Sequence, residues 1–92
     1  MAYLTLERLP AVLGRRGDGR SSLYADIQRG VWTSPIRMGR ASTWPEHETQ
    51  ALLAARIAGA SDKQLKQLVH DLLEERKSAL TALSPAGARA AV

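Results

Sequence analysis

Cysteine is missing altogether from this chain, which excludes disulfides and thiolate-bound metals as sources of stability. Aromatic residues are scarce, at 4% with no phenylalanine, so Trp32 and Trp44 are expected in the core rather than as base-stacking platforms. No stretch approaches the roughly 18 apolar residues of a membrane span. The opening Met1-Ala2-Tyr3-Leu4-Thr5 carries neither the basic flank nor the apolar run of a secretory signal. The expectation is an intracellular, cytoplasmic protein with no membrane partner. Catalytic patterns are missing too: no serine sits in a nucleophile elbow, no HExxH spacing exists, and no acid-base pair stands out. His47 and His70 are isolated; Glu46 and Glu48 flank His47, but adjacent residues on a helix diverge by about 100° and cannot grip one metal together. Neither catalysis, a metal site nor a small-molecule cofactor is expected.

What is present is an ordinary folding composition, 45% hydrophobic and 24% charged over 92 residues. A chain of that length is one domain at most, with barely enough buried surface to offset its ordering entropy. The net charge of +4 is unevenly placed. Residues 1–44 carry Arg8, Arg15, Arg16, Arg20, Arg29, Arg37 and Arg40 against Glu7, Asp18 and Asp26, a surplus of four. Six basic and six acidic residues balance in the remainder. The basic half uses arginine alone, whose rigid donor fork suits phosphates and guanine edges better than the point charge of lysine. A plain solvated basic surface is the alternative reading of the same charges.

The periodicity predicts a first helix capped by Thr5, with Leu6, Leu9, Val12 and Leu13 on one side, Pro10 near its first turn, and Gly14 at its end. Gly14-Arg15-Arg16-Gly17-Asp18-Gly19 reads as a mobile basic loop; no Gly-Lys-Ser/Thr follows, so it is no Walker loop. Ser21 or Ser22 caps a second helix running to Arg29 and stopping at Gly30. Leu23, Tyr24 and Ile27 point inward. Ser21, Ser22, Ala25, Gln28 and Arg29 face outward, the small or hydrogen-bonding set suited to a helix that enters a major groove. Val31-Trp32 and Ile36-Arg37-Met38 read as short strands around Thr33-Ser34-Pro35, with Ile36 and Met38 inward, and Arg37 and Arg40 projecting from the resulting wing. Trp44-Pro45-Glu46 opens a third helix with Ala51, Leu52 and Ala55 as apolar positions, joined by Ile57 or Ala58, ending at Gly59. Ser61-Asp62-Lys63-Gln64 has the form of a capping box before a fourth helix striped by Leu65, Leu68, Val69, Leu72, Leu73, Leu80 and Leu83. That stripe either folds back on the domain or pairs with a second copy.

The run from Leu4 to Ile57 resembles the AlpA family of phage and prophage regulators, small domains related in architecture to MerR-like proteins and phage excisionases. The matching features are the leucine-bearing first helix, Arg20-Ser21-Ser22-Leu23-Tyr24, Ile27, Gly30, Trp32, Pro35-Ile36-Arg37-Met38-Gly39, Trp44 and Glu48. The resemblance implies a mainly α fold with a β-hairpin wing, a winged helix-turn-helix over residues 1–60. An additional amphipathic helix follows at 61–83, packing on the domain or mediating dimerisation, with a flexible tail at 84–92. It further implies a bacterial or phage-encoded, nucleoid-associated protein that binds double-stranded DNA sequence-specifically. The helix at 21–29 would enter the major groove and the Ile36–Ser42 wing would lie on the backbone or in the minor groove. Candidate DNA contacts are Arg15, Arg16, Arg20, Ser21, Ser22, Ala25, Gln28, Arg29, Arg37 and Arg40. The chain departs from the family pattern in a longer turn before the second helix, Thr33 in place of a proline, and Asp26 in place of an apolar or long side chain. Two functions fit, a transcriptional regulator or a recombination directionality factor acting on attachment-site DNA. Both would need a homodimer or cooperative tandem binding, because one small winged domain buries only about 600–1,000 Å² on DNA. A protein-interaction module built on the Leu65 to Leu83 stripe stands outside that class.

Overall fold

A computed structural model describes residues 4–83. In chain order the elements are β1 (Leu6–Arg8), α1 (Leu9–Arg16), α2 (Arg20–Arg29), β2 (Ile36–Met38), β3 (Ala41–Pro45), α3 (Glu46–Ile57) and α4 (Asp62–Leu83). The protein is thus mainly helical, as expected, with a small antiparallel sheet of three strands in the order β1-β3-β2. Among the described residues no helix is long and apolar enough to cross a membrane. The side chains of Leu80 and Leu83, and the tail at 84–92, lie outside the described residues.

The first helix does not begin at Thr5. Leu6, Glu7 and Arg8 instead pair with Pro45, Trp44 and Thr43 of β3. The Thr5 carbonyl accepts the Glu46 amide at 2.7 Å, satisfying one of the free donors that open α3. α1 starts beyond this strand, with Pro10 in its first turn, and runs through Gly14 to a left-handed stop at Gly17, φ 76°. Gly14 inside a helix costs about 1 kcal/mol relative to alanine, too little to end a helix that buries Val12 completely. The expected loop therefore shrinks to Gly17-Asp18-Gly19, and Arg15 and Arg16 become helical. Likewise α2 starts one residue before Ser21, with Gly19 as its cap and no side chain serving that role; Gly30 ends it in the left-handed region, φ 82°.

The hairpin also lies later than its sequence suggests. Val31 and Trp32 are a buried connection, and the pair of strands is β2 with β3, matching Ile36 to Thr43, Arg37 to Ser42 and Met38 to Ala41. Its turn is Gly39-Arg40, where Gly39 supplies the positive φ, 63°, that tight hairpins favour. Thr33-Ser34-Pro35 makes no turn of this kind because Thr33 is fully buried and its carbonyl accepts Trp44 Nε1 at 2.8 Å. Met38, expected inward, is 55% exposed. Pro45 ends β3 and caps α3 rather than occupying its first turn, and Ile57 at the helix end faces solvent.

One core joins the elements: Val12, Leu23, Trp32, Trp44, Leu52, Val69 and Leu72. Both tryptophans are buried there, as their scarcity of apolar company suggests. The capping box at the head of α4 forms as predicted, with Ser61 and Gln64 exchanging backbone-to-side-chain hydrogen bonds of 2.9 and 3.2 Å. α4 then folds back on its own chain and buries Leu65, Val69 and Leu72. Polar chemistry reinforces that docking. Glu48 of α3 is fully buried and receives two hydrogen bonds from Arg76 of α4, at 2.7 and 2.6 Å, while Arg76 also donates to the Ser34 carbonyl at 2.8 Å.

Candidate nucleic-acid interface

The outward side of α2 keeps the composition read from its sequence. Ser21, Ser22, Ala25, Gln28 and Arg29 lie exposed on this side, while Leu23 is buried, Tyr24 and Ile27 pack at the core's margin, and the exposed Arg20 stands on the Tyr24 side of the helix, one turn before that ring. Because no side chain caps this helix, the first-turn amides around Ser21 and Ser22 remain available to an anion.

Between α2 and the β2–β3 hairpin lies a groove of about 560 Å³ lined by Arg20, Ser21, Tyr24, Pro35, Arg37 and Ser42. Two arginines and three hydroxyls border it, with no carboxylate among the six. The Arg20 guanidinium lies 5.7 Å from the centre of the Tyr24 ring, and Arg37 Nη1 donates to Ser42 Oγ at 3.0 Å. Among the described residues, both arginines keep most of their donors free. Arg40, in the hairpin turn, is exposed, and none of Arg20, Arg37 and Arg40 has a carboxylate partner among the described residues. Sequence alone does not single out Tyr24, Pro35 and Ser42 as contacts. Tyr24 reads as a core position by its spacing, and the other two join the groove only once the hairpin is folded.

Arg15 and Arg16 do not share this surface. Arg15 is engaged by Glu7 at 2.8 Å and Glu46 at 3.0 Å. The side chain of Arg16 is only 2% exposed and is held by Asp18 at 2.6 Å and Asp26 at 2.9 Å. Its guanidinium stacks 4.4 Å from the centre of Trp32, and Arg56 approaches the same ring at 5.2 Å. A cation over an indole face is stabilised by the ring quadrupole, more so when desolvated. Arg16 is therefore a packing residue, and its assignment as a DNA contact is corrected.

Asp26 organises this cluster. It accepts from Arg16 at 2.9 Å, Arg56 at 2.8 Å and Arg29 at 3.1 Å, and Arg29 reaches on to Asp62 at 2.7 Å. Burial opposes ionisation of Asp26, but the hydrogen bonds and charges of Arg56 and Arg16 outweigh it and hold the carboxyl below its ordinary 3.8. For Arg16, burial works against the charged form, and the hydrogen bonds and charges of Asp18 and Asp26 overcome it and raise the pKa. Asp26 thus has a structural role: it neutralises arginines packed around Trp32. Its three arginines come from α1, α2 and α3, a convergence that no local spacing announces. Arg29 remains 54% exposed at the side chain, yet it is bound to two carboxylates. The α2 surface therefore has a positively charged end at Arg20 and a charge-balanced end at Arg29.

No match to this chain was found among protein-family models, characterised proteins or solved structures.

Proposed function

We propose that this protein is a sequence-specific, double-stranded DNA-binding regulator of the phage or prophage type, using a winged helix-turn-helix. In this reading α1 and α2 form the helix pair, α2 enters the major groove, and the β2–β3 hairpin is the wing on the backbone or minor groove. The observation that carries it is the groove between α2 and the hairpin, where Arg20 and Arg37 converge with Ser21 and Ser42 and no carboxylate intervenes. Such a lining matches a phosphodiester: arginine forks bind its oxygens, hydroxyls donate to it, and the open first turn of α2 adds amide donors. A phosphate seated there would set the register of α2, leaving Ala25, Gln28 and Arg29 toward base edges. Arg40 at the hairpin tip reaches an adjacent phosphate or a narrow minor groove. The AlpA resemblance points the same way, and so does the surplus of arginine in residues 1–44.

Selection from a random-sequence duplex pool tests this. The purified protein is expected to enrich a defined motif, and Arg20→Ala with Arg37→Ala is expected to weaken binding to enriched and unselected duplexes alike. The salt slope should fall by about one for each phosphate that no longer has an arginine on it. Wild-type protein that enriches nothing and binds no duplex at low salt would overturn the reading. Mapping the motif to a promoter or to an attachment site then separates a transcriptional regulator from a recombination directionality factor.

A further inference from the structure

We infer that Asp62, the first residue of α4, sets the discrimination of this DNA interface by neutralising Arg29. The inference rests on the reading of α2 as the DNA-facing helix and adds to it a role for the helix beyond residue 60. Arg16, Arg29 and Arg56 interlock with Asp18, Asp26 and Asp62, three positive charges against three negative. The site around Arg29 is electrically balanced, unlike the groove at Arg20 and Arg37.

Balance changes what an arginine does on DNA. A free guanidinium displaces counterions from any phosphate and so strengthens binding to every sequence. One already held by carboxylates has little of that attraction left. It nevertheless keeps hydrogen-bonding capacity: of its five N–H groups, one on Nη1 goes to Asp26 and one on Nη2 to Asp62, leaving three for acceptors such as guanine O6 and N7. The carboxylates also repel any phosphate that would take the place of a base. Arg29 is thereby kept for the base edge, and general affinity is left to Arg20, Arg37 and Arg40.

Asp62 is the member of the cluster that is free to serve this end. Asp26 is 13% exposed at the side chain and is shared with Arg16 and Arg56, so it is bound up with the packing of Trp32. Asp62 is 65% exposed, and Arg29 is its one ionic partner among the described residues. The capping box that opens the helix is made without it, by Ser61 and Gln64.

The test compares wild type, Asp62→Asn, Asp62→Glu, Arg29→Ala and the Asp62→Asn/Arg29→Ala pair. Each is measured for affinity on an unselected random duplex pool and on the pool enriched by wild type, across a salt series. Asp62→Asn is expected to bind the unselected pool more tightly, on the order of threefold, with a salt slope steeper by about one, the signature of one further phosphate neutralised. Its gain on the enriched pool is smaller, so the ratio between the pools falls. The effect vanishes in the Arg29→Ala background, and Asp62→Glu restores the wild-type ratio. Asp71→Asn removes the same charge from α4 at a residue bonded to Gln67 instead and should leave the ratio unchanged. Thermal melts establish that each variant is folded. If wild type discriminates between the pools and Asp62→Asn leaves ratio and slope unchanged, or Asp71→Asn reproduces its effect, the role of Asp62 falls and the DNA reading stands. If wild type binds neither pool, both fall.

Discussion

Asp26 shows how one side chain serves packing and electrostatics together. Its carboxylate is the common acceptor for arginines from three helices, two of which lie over the ring of Trp32. Because its pKa is lower in the folded protein than in the unfolded chain, its contribution to stability is fully present above the unfolded value near 3.8. That contribution is lost as pH falls through the folded value. Asp26→Asn should therefore be less stable than wild type at neutral pH. The gap should hold down to about pH 5 and close under more acidic conditions. Urea unfolding of both proteins across a pH series checks this; a gap that persists unchanged well below 3.8 would show that Asp26 acts through hydrogen bonds an amide cannot replace rather than through its charge. From sequence, Asp26 is visible chiefly as one of three acidic residues in the arginine-rich half. The partners that explain it lie ten and thirty residues away, separations at which no periodicity operates. Arg16 is opaque for the same reason: beside glycines it reads as a loop arginine, and only the fold places it against Trp32.

At the scale of elements, legibility follows the strength of the local signal. α4 is readable because a capping box and a long apolar stripe agree, and Gly30 marks the stop of α2. The hairpin is not, because Thr33-Ser34-Pro35 and Gly39-Arg40 are both acceptable turns by composition. What chooses between them is burial of Thr33 and the Trp44 hydrogen bond to its carbonyl. β1 is hidden by its shortness: Leu6–Arg8 has an apolar pattern that fits a helix, and becomes a strand only because β3 offers a partner. A polar link between α3 and α4 is the Glu48–Arg76 pair, with its carboxylate fully buried. Removing one partner of a buried pair commonly costs about 3–5 kcal/mol, since the remaining charge is left without compensation. Arg76→Ala is thus expected to bring a domain of this size close to unfolding. Glu48→Leu together with Arg76→Met should recover much of the loss, because no buried charge is left alone. Denaturant midpoints decide; a double variant as unstable as Arg76→Ala would mean that the bond from Arg76 to the Ser34 carbonyl matters more than the carboxylate.

For the whole molecule, the question is whether residues 1–60 and the following helix are separable, as the sequence division suggests. Val69 and Leu72 of α4 belong to the same cluster as Val12, Leu23, Trp32, Trp44 and Leu52, and Leu65 of the same helix is buried too. Each such side chain contributes about 1.5–3 kcal/mol by leaving water. The net stability of a domain is only about 5–15 kcal/mol, so three of them with the Glu48–Arg76 pair are comparable to the total. The first turns of the stripe are accordingly spent on the chain's own core. That leaves less apolar surface for a partner than the bare sequence implies. A chain ending at residue 60 is expected to lack a cooperative thermal transition and to expose Trp32 and Trp44, shifting their fluorescence to the red. It should also lose the proposed DNA binding with its fold, although every arginine at the proposed interface is retained. Adding back a peptide of residues 61–83 should restore both, since that helix supplies the absent part of the core. A truncated chain that melts cooperatively and enriches the wild-type motif would show instead that the sheet and first three helices suffice, and that α4 is an accessory to them.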